Sequence, residues 1–442
     1  MFPRAFSELR ALLLLGFPII VSNLAHSAMG LTDIYLVAPL GPEAIGAVGL
    51  GGNVFFGIGF SCASVLLCLD TLVSQAIGRG DRPYAARVFM QSLGLGACVC
   101  AFAAIAMLFT VGKLDRAGLE PSVVPLAKSF VLWTVPGLPA LFFTFAASKY
   151  LQAHDRSLPV MLIAVFANVF NYGFDVVLIY GRFGFPALGV EGAAIATTCA
   201  RWVMALGFAL VLWRSDYPLR RKDLGYDRVL WNQMLILGVP AAAQVALEIG
   251  LFVMAGFLIA RFEADALAAH YVMLQLISFT FMAPLGVSNA VSVRVGHAIG
   301  AGLLREAAFR GKVAIGFSAA VMSLSSLALI FYGRELAHMF GARESTTLAF
   351  LALVPAAAAF QIFDGVQVTA TGALRGVGDT RSPFLANVFC HWLVAFPIAL
   401  YCGFSLGWRA PGVWLGLSVG LISVALMLIA VWVRRSRRLS FS

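Results

Sequence analysis

The chain has 442 residues, a formal net charge of +10 and a mean hydropathy of +0.90, and 61% of its residues are hydrophobic whereas 12% are charged. A water-soluble domain cannot bury so much apolar surface, so the composition excludes a soluble globular protein and predicts a membrane protein. We attribute the positive charge to membrane topology, and it therefore requires no nucleic-acid partner.

Apolar stretches long enough to cross a bilayer recur along the whole chain. A hydrocarbon core about 30 Å thick needs roughly 20 residues of helix. Continuous apolar runs, unlike the alternating pattern of a β-barrel, favour helices. We predict an all-α membrane protein with twelve transmembrane helices, at about residues 11–37, 46–72, 88–112, 124–150, 160–181, 188–213, 233–260, 265–290, 313–333, 346–374, 383–404 and 411–433.

The first six and the last six predicted helices carry the same short motifs, 222 residues apart. The motif Gly-Phe-Pro at 16–18 returns as Gly-Val-Pro at 238–240, and Ala-Ile-Gly at 76–78 returns at 298–300. The order of the elements is kept, which predicts two pseudo-symmetric six-helix lobes. Two like lobes with a cavity between them are typical of secondary transporters.

The repeat predicts an N-lobe at 1–213, a linker at 214–231 and a C-lobe at 232–442. Of the 31 Lys and Arg residues, 22 fall on the side of the membrane that holds both termini and the linker, and 7 fall on the other side. Because positive charge concentrates in cytoplasmic loops, we expect both termini and the linker in the cytoplasm.

Carboxylates inside predicted helices are the sharpest functional signal. Each costs several kcal/mol unless it faces a polar interior or a partner, so each is a candidate site residue. Beyond the first turn of a predicted helix there are five: Asp33, Asp70, Asp175, Glu248 and Asp364. Asp70 lies near the end of its helix, where a salt bridge explains it as well as transport does, so we class it as a possible accessory residue.

Neutral oxygens lie near these acids in the sequence. Asn171 precedes Asp175 by one helical turn, which places the amide and the carboxylate on one face. Thr197, in the sixth predicted helix, is a possible further oxygen ligand. Such a set can hold a proton, or a Na⁺ ion when several oxygens converge.

Other polar and polarisable side chains are weaker candidates. Gln244 and Gln361 are predicted to line a substrate cavity, together with Asp33, Asp175 and Thr197. Met273 is predicted to contribute an adaptable apolar surface there. Arg201, a second possible accessory residue, requires a partner, and we consider Glu191 or an acid on a facing helix.

Enzyme signatures are missing from the sequence. It contains no Walker A motif and no H-E-x-x-H zinc motif, and its histidines fall on separate predicted helices. We therefore expect a protein that is not an enzyme and that holds no cofactor and no metal beyond a possible coupling Na⁺.

Three stretches carry a family resemblance. Residues 247–252, together with 291–297, are similar to the second lobe of NorM-type proteins, and residues 360–367 and 69–78 resemble signatures of the tenth and second helices. Over essentially its whole length the chain resembles a multidrug and toxic compound extrusion (MATE) transporter. The resemblance implies antiport, driven by H⁺ or Na⁺, that exports organic cations, drugs or toxic compounds across the inner (plasma) membrane by alternating access.

The resemblance also implies roles for single residues. It places Glu248 and Asp364 at a cation site of the second lobe and Asp33 at an acid of the first lobe. Asn171 and Asp175 resemble the asparagine–aspartate pair of the DinF-type branch. Because the chain carries acids of both patterns, H⁺ and Na⁺ both stay open as the coupling ion.

At one position of the tenth predicted helix, the sequence differs from the family pattern. Phe360 stands where a tyrosine is often found in the family, which removes one oxygen ligand of a NorM-like Na⁺ site.

A lipid-linked oligosaccharide precursor flippase of the same superfamily is the alternative function, and such a flippase would have a basic cavity. Apart from Glu191, Asp265 and Lys149 at helix ends, the charges within the predicted helices are the five acids, Lys128 and Arg201, which argues against the flippase. The resemblance implies cationic amphipathic substrates. We expect the protein to act as a monomer in the bilayer.

Overall fold

The computed structural model describes residues 2–116, 120–215, 217, 223, 225–341 and 343–441. These residues contain helices and no strand, and twelve of the helices are long and apolar enough to cross a membrane. The prediction of twelve transmembrane helices is confirmed. The helices are α1 (Arg4–Leu40), α2 (Pro42–Gly78), α3 (Arg82–Arg116), α4 (Val123–Ala153), α5 (Ser157–Tyr180), α6 (Val190–Trp213), α7 (Arg228–Ile259), α8 (Ala264–Gly300), α9 (Leu304–Met339), α10 (Glu344–Gly376), α11 (Arg381–Ser405) and α12 (Arg409–Leu439).

Most helices are longer than the apolar runs that predicted them. The run at 313–333, for example, lies within a helix that begins at Leu304 and ends at Met339. The additional turns carry charged side chains such as Arg305 and Arg310, because a helix can continue beyond the hydrocarbon once water or headgroups solvate its side chains.

Prolines interrupt the helical hydrogen bonding at defined points. In α4 the segment Val135–Gly137 tightens into a 3₁₀ turn around Pro136, because proline donates no backbone hydrogen bond. Two side chains of α6 satisfy carbonyls at this break. Trp202 Nε1 donates to the Pro136 carbonyl at 3.1 Å, and Thr198 Oγ1 donates to the Trp133 carbonyl at 2.8 Å.

The helices divide into two compact units, and both dividing points fall inside helices. The N-unit comprises Val21–Ala242, and the C-unit comprises Met1–Ile20 with Ala243–Ser442. The dividing points are 222 residues apart, the spacing of the sequence repeat. Each unit has its own apolar core, around Phe89, Leu138 and Tyr150 in the N-unit and around Phe350 and Trp414 in the C-unit. The predicted lobe boundaries at 213 and 232 stay a prediction.

Charged side chains bind the start of α1 to the rest of the C-unit. Glu8 is buried and accepts two hydrogen bonds from Arg294, from Nε at 2.5 Å and from Nη2 at 2.6 Å. Arg4 pairs with Glu306, which in turn lies 3.5 Å from Arg310. A bidentate arginine–carboxylate pair fixes both distance and orientation, so these contacts set the register of the first turns of α1 against α8 and α9.

The described part of the linker lies against the N-unit. The Gln91 amide of α3 donates to the Asp223 carbonyl at 2.6 Å, and its oxygen accepts from the Asp227 backbone N–H at 3.1 Å and from Trp231 Nε1 at 2.8 Å. One side chain thus fixes the chain immediately before α7. Residues 216, 218–222 and 224 of the predicted linker, including the predicted cytoplasmic residues Arg220, Arg221 and Lys222, lie outside the described residues.

Equivalent glycines of the repeat differ in how tightly they pack. A Cβ atom on Gly238 would lie 2.1 Å from the Val65 carbonyl oxygen, whereas a Cβ atom on Gly16 would lie 3.6 Å from the Ala290 Cβ. The first distance is a clash with backbone, and the second is an ordinary van der Waals contact. Only Gly238 therefore has to be a glycine for steric reasons.

We expect Gly238→Ala to destabilise the protein by about 1–3 kcal/mol, because α7 must move away from α2 to make room for the methyl group. Gly16→Ala is the matched control and should change stability by less than about 0.5 kcal/mol. Thermal unfolding of the purified variants in detergent measures both effects. Equal shifts in the two variants would contradict the difference in packing.

Candidate functional site

Four predicted site residues meet inside the N-unit. Asp33 comes from α1, Asn171 and Asp175 from α5 and Thr197 from α6, and all four are buried. Thr197 Oγ1 donates to Asp33 Oδ2 at 2.6 Å, and Asn171 Nδ2 donates to Thr197 Oγ1 at 3.3 Å. The Asp175 carboxyl lies beside that of Asp33. We call these four residues the N-site.

The N-site contains oxygens that the protein leaves without a partner. Among the described residues, no N–H or hydroxyl group donates to Asp33 Oδ1, Asn171 Oδ1 or either carboxyl oxygen of Asp175, and the carboxyl of Asp175 faces that of Asp33. Buried polar atoms are nearly always paired, and buried carboxylates are costly unless a positive charge or a proton neutralises them. The N-site therefore has the donor set to bind a proton or a monovalent cation.

Arg201 lies next to the N-site. Its guanidinium carbon lies 3.7 Å from the centre of the Phe55 ring, and Asp33 is the acid whose charge it faces. Of the partners considered from the sequence, Glu191 is engaged elsewhere, since it accepts a hydrogen bond from Ser129 Oγ at 2.6 Å. The acid on a facing helix is therefore Asp33.

A second group of polar residues lies in the C-unit around Glu248. Gln244, one turn earlier on α7, donates from Nε2 to Glu248 Oε1 at 3.1 Å, and Gln367 of α10 donates to the same oxygen at 2.8 Å. Asn387 of α11 also neighbours Glu248, and Asp364 lies close enough for the two carboxyl charges to interact. We call these five residues the C-site.

The remaining predicted residues of the C-unit have other surroundings. Gln361 is buried, and its Nε2 donates to Thr280 Oγ1 at 3.3 Å. Met273 is fully buried in the same apolar cluster as Phe360. The Phe360 ring packs edge-on against Trp414 at 6.0 Å between ring centres, so an aromatic cluster occupies the position where the family often has a tyrosine hydroxyl.

Asp70 forms a buried ion pair with Lys149. Lys149 Nζ lies 3.1 Å from Asp70 Oδ2, and both side chains are almost fully buried between α2 and α4. Removing one partner of a buried pair leaves an uncompensated charge, so both residues are needed for stability. A salt bridge was one of the two interpretations of Asp70 from the sequence, and the structure contains that salt bridge.

One protein-family model matches this chain twice, once in each half of the sequence repeat. The MatE family model matches residues 18–177 and again residues 240–401. The chain belongs to the MATE family. Membership makes it a multi-pass membrane transporter and not an enzyme, as the sequence predicted.

Relatives of this MATE protein match over nearly their whole length. "Probable multidrug resistance protein NorM" of Pseudomonas putida is 36% identical, and the match covers 98% of this chain and 96% of the relative. The protein of the same name from Pseudomonas syringae pv. tomato is 33% identical, with 99% and 97% covered. A crystal structure described as MATE in the bent conformation matches with a TM-score of 0.90 at 20% identity, over 98% of this chain and 96% of that one, which shows the fold.

Proposed function

We propose that this MATE protein is a multidrug efflux antiporter of the inner (plasma) membrane. It exports cationic amphipathic compounds in exchange for an inward-moving H⁺ or Na⁺, with both termini in the cytoplasm. The observation that carries the proposal is the N-site, where buried carboxylate and amide oxygens accept no hydrogen bond from any N–H or hydroxyl group of the described residues. The relatives whose names describe multidrug resistance support the same transport class.

Competition for the same carboxylates couples the two fluxes. An empty N-site holds buried negative charge at a high free-energy cost, so either the coupling ion or the cationic substrate has to neutralise it. When one cation is bound, the site no longer attracts the other. Exchange follows if the two conformations of alternating access differ in their affinity for the two cations.

The C-site is proposed as a second cation group. Two amide donors fix one oxygen of Glu248, and Asp364 adds a nearby carboxyl. Because each unit contains its own acidic group, one chain is sufficient and we propose a monomer. Both groups are acidic, which disfavours the alternative flippase, since a pyrophosphate-linked substrate would be repelled.

The test is transport of tetraphenylphosphonium by the purified protein in proteoliposomes, with a pH gradient and a Na⁺ gradient imposed separately. We expect at least one gradient to drive export against the substrate gradient, and the effective gradient identifies the coupling ion. Transport driven by neither gradient would contradict the antiporter.

A further inference from the structure

Arg201 brings a fixed positive charge within reach of the N-site. It follows Thr197 by four residues on α6, so the two side chains share one face of the helix with Cβ atoms about 5–6 Å apart. Thr197 is hydrogen-bonded to Asp33 at 2.6 Å. The charge of Arg201 interacts with that of Asp33, and a change of rotamer would bring the long side chain towards this carboxylate.

The structure holds the guanidinium beside Asp33 but not paired with it. Arg201 lies over the Phe55 ring, and a Cβ atom on Gly137 would lie 3.3 Å from its Nη1, so the glycine at the break in α4 provides the room it occupies. Among the described residues, Arg201 Nη1 and Asp33 Oδ1 both lack a hydrogen-bond partner. A buried donor and a buried acceptor are thus left unpaired close to each other, which is rare in folded proteins.

We propose that Arg201 is a tethered counter-cation of the N-site. When the substrate cation or the coupling ion leaves, the guanidinium moves from Phe55 to Asp33, and the next cation has to displace it. This inference rests on the proposed antiport and assigns to Arg201 the release of substrate. The other groups that face Arg201 and Asp33 are His26 on α1 and Asp175 on α5.

The charge of Arg201 also sets which substrates the N-site accepts. When a cation has replaced the proton and both carboxylates are ionised, the two acids and Arg201 carry a net charge of −1, which one monovalent cation neutralises. Without Arg201 the net charge is −2. Arg201 therefore favours monovalent substrates over divalent ones. It also lowers the affinity of the N-site enough for a bound substrate to be released.

The test is Arg201→Gln, with equilibrium binding and transport measured for tetraphenylphosphonium, which carries one charge, and for 4′,6-diamidino-2-phenylindole as a dication. We expect the Kd of tetraphenylphosphonium to fall about tenfold and that of the dication to fall further, since a repelling charge is removed. Maximal export velocity should fall while KM also falls. A purely structural role of Arg201 would weaken binding instead.

Two further substitutions serve as controls for Arg201→Gln. Arg214→Gln removes an exposed arginine at the end of the same helix, and both Kd values should stay at wild-type levels. Arg201→Lys keeps the charge and should stay within threefold of wild type. Unchanged or weaker binding in Arg201→Gln would overturn the proposal.

A second variant decides the matter if Arg201→Gln does not fold. Phe55→Leu removes the ring that holds the guanidinium away from Asp33, so binding should weaken, with a Kd at least threefold higher. Unchanged or tighter binding in Phe55→Leu would overturn the inference. Wild-type protein that exports nothing under either gradient would instead refute the proposed antiport, so the two failures are distinguishable.

Discussion

Asp33→Asn should reduce gradient-driven export by at least about 100-fold, which corresponds to roughly 2.7 kcal/mol. The substitution keeps the shape of the side chain and an oxygen that can accept the hydrogen bond from Thr197. It removes the charge that attracts both the substrate and the coupling ion. We therefore expect the variant to fold and to unfold near the wild-type temperature, while Kd for tetraphenylphosphonium rises steeply.

Asp115→Asn is the matched control for this experiment. Asp115 is exposed at the end of α3, where it pairs with Lys128 at 2.5 Å, and an exposed pair contributes at most about 1 kcal/mol. Its export rate should equal that of the wild type. Normal export by Asp33→Asn would remove the N-site from the mechanism.

Glu248→Gln should reduce gradient-driven export but, unlike Asp33→Asn, leave substrate binding nearly unchanged. The glutamine side chain keeps an oxygen for the hydrogen bonds from Gln244 and Gln367, so the C-unit should stay folded. Only the charge of Glu248 is lost, and Asp364 stays in place. We expect tetraphenylphosphonium to bind within threefold of wild type, because the N-site is intact, while export driven by the effective ion gradient falls at least about tenfold.

Glu263→Gln provides the control within the same unit. Glu263 precedes α8 and pairs with Arg409 at the protein surface, where its side chain is 70% exposed. Its loss should leave both binding and export unchanged. If Glu248→Gln exports at the wild-type rate, the coupling ion binds outside the C-site.

Local spacing predicted part of the N-site, because Asn171 and Asp175 are one helical turn apart and their shared face follows from helix geometry alone. The assembly of Asp33 and Thr197 with them depends on how α1, α5 and α6 pack, which a single sequence does not specify. The cost of a carboxylate in an apolar setting is independent of the packing, and this rule selected Asp33 and Asp175, which the structure places side by side.

Two residues of the C-site, Gln367 and Asn387, were not predicted as site residues from the sequence. Gln367 and Asn387 contact or neighbour Glu248 although they lie more than 100 residues away in the chain. Both are neutral amides, and amides inside helices are as often structural as functional, so residue type alone does not select them. Gln367 is one of several glutamines within the predicted helices, with Gln244 and Gln361. Asn387 lies in the motif Ala-Asn-Val-Phe, which stands at 167–170 and again at 386–389, so it was interpreted as part of the repeat.

The dividing points inside α1 and α7 bear on how a protein of this kind can arise. Each half of the chain begins with a segment that belongs to the unit formed mainly by the other half, and the exchange occurs at the same place in both copies. A gene encoding only one half would make a product that lacks this segment of its own unit. Two such products would complete each other as an exchanged dimer. Fusion of the two genes would then join partners that already depended on each other for folding.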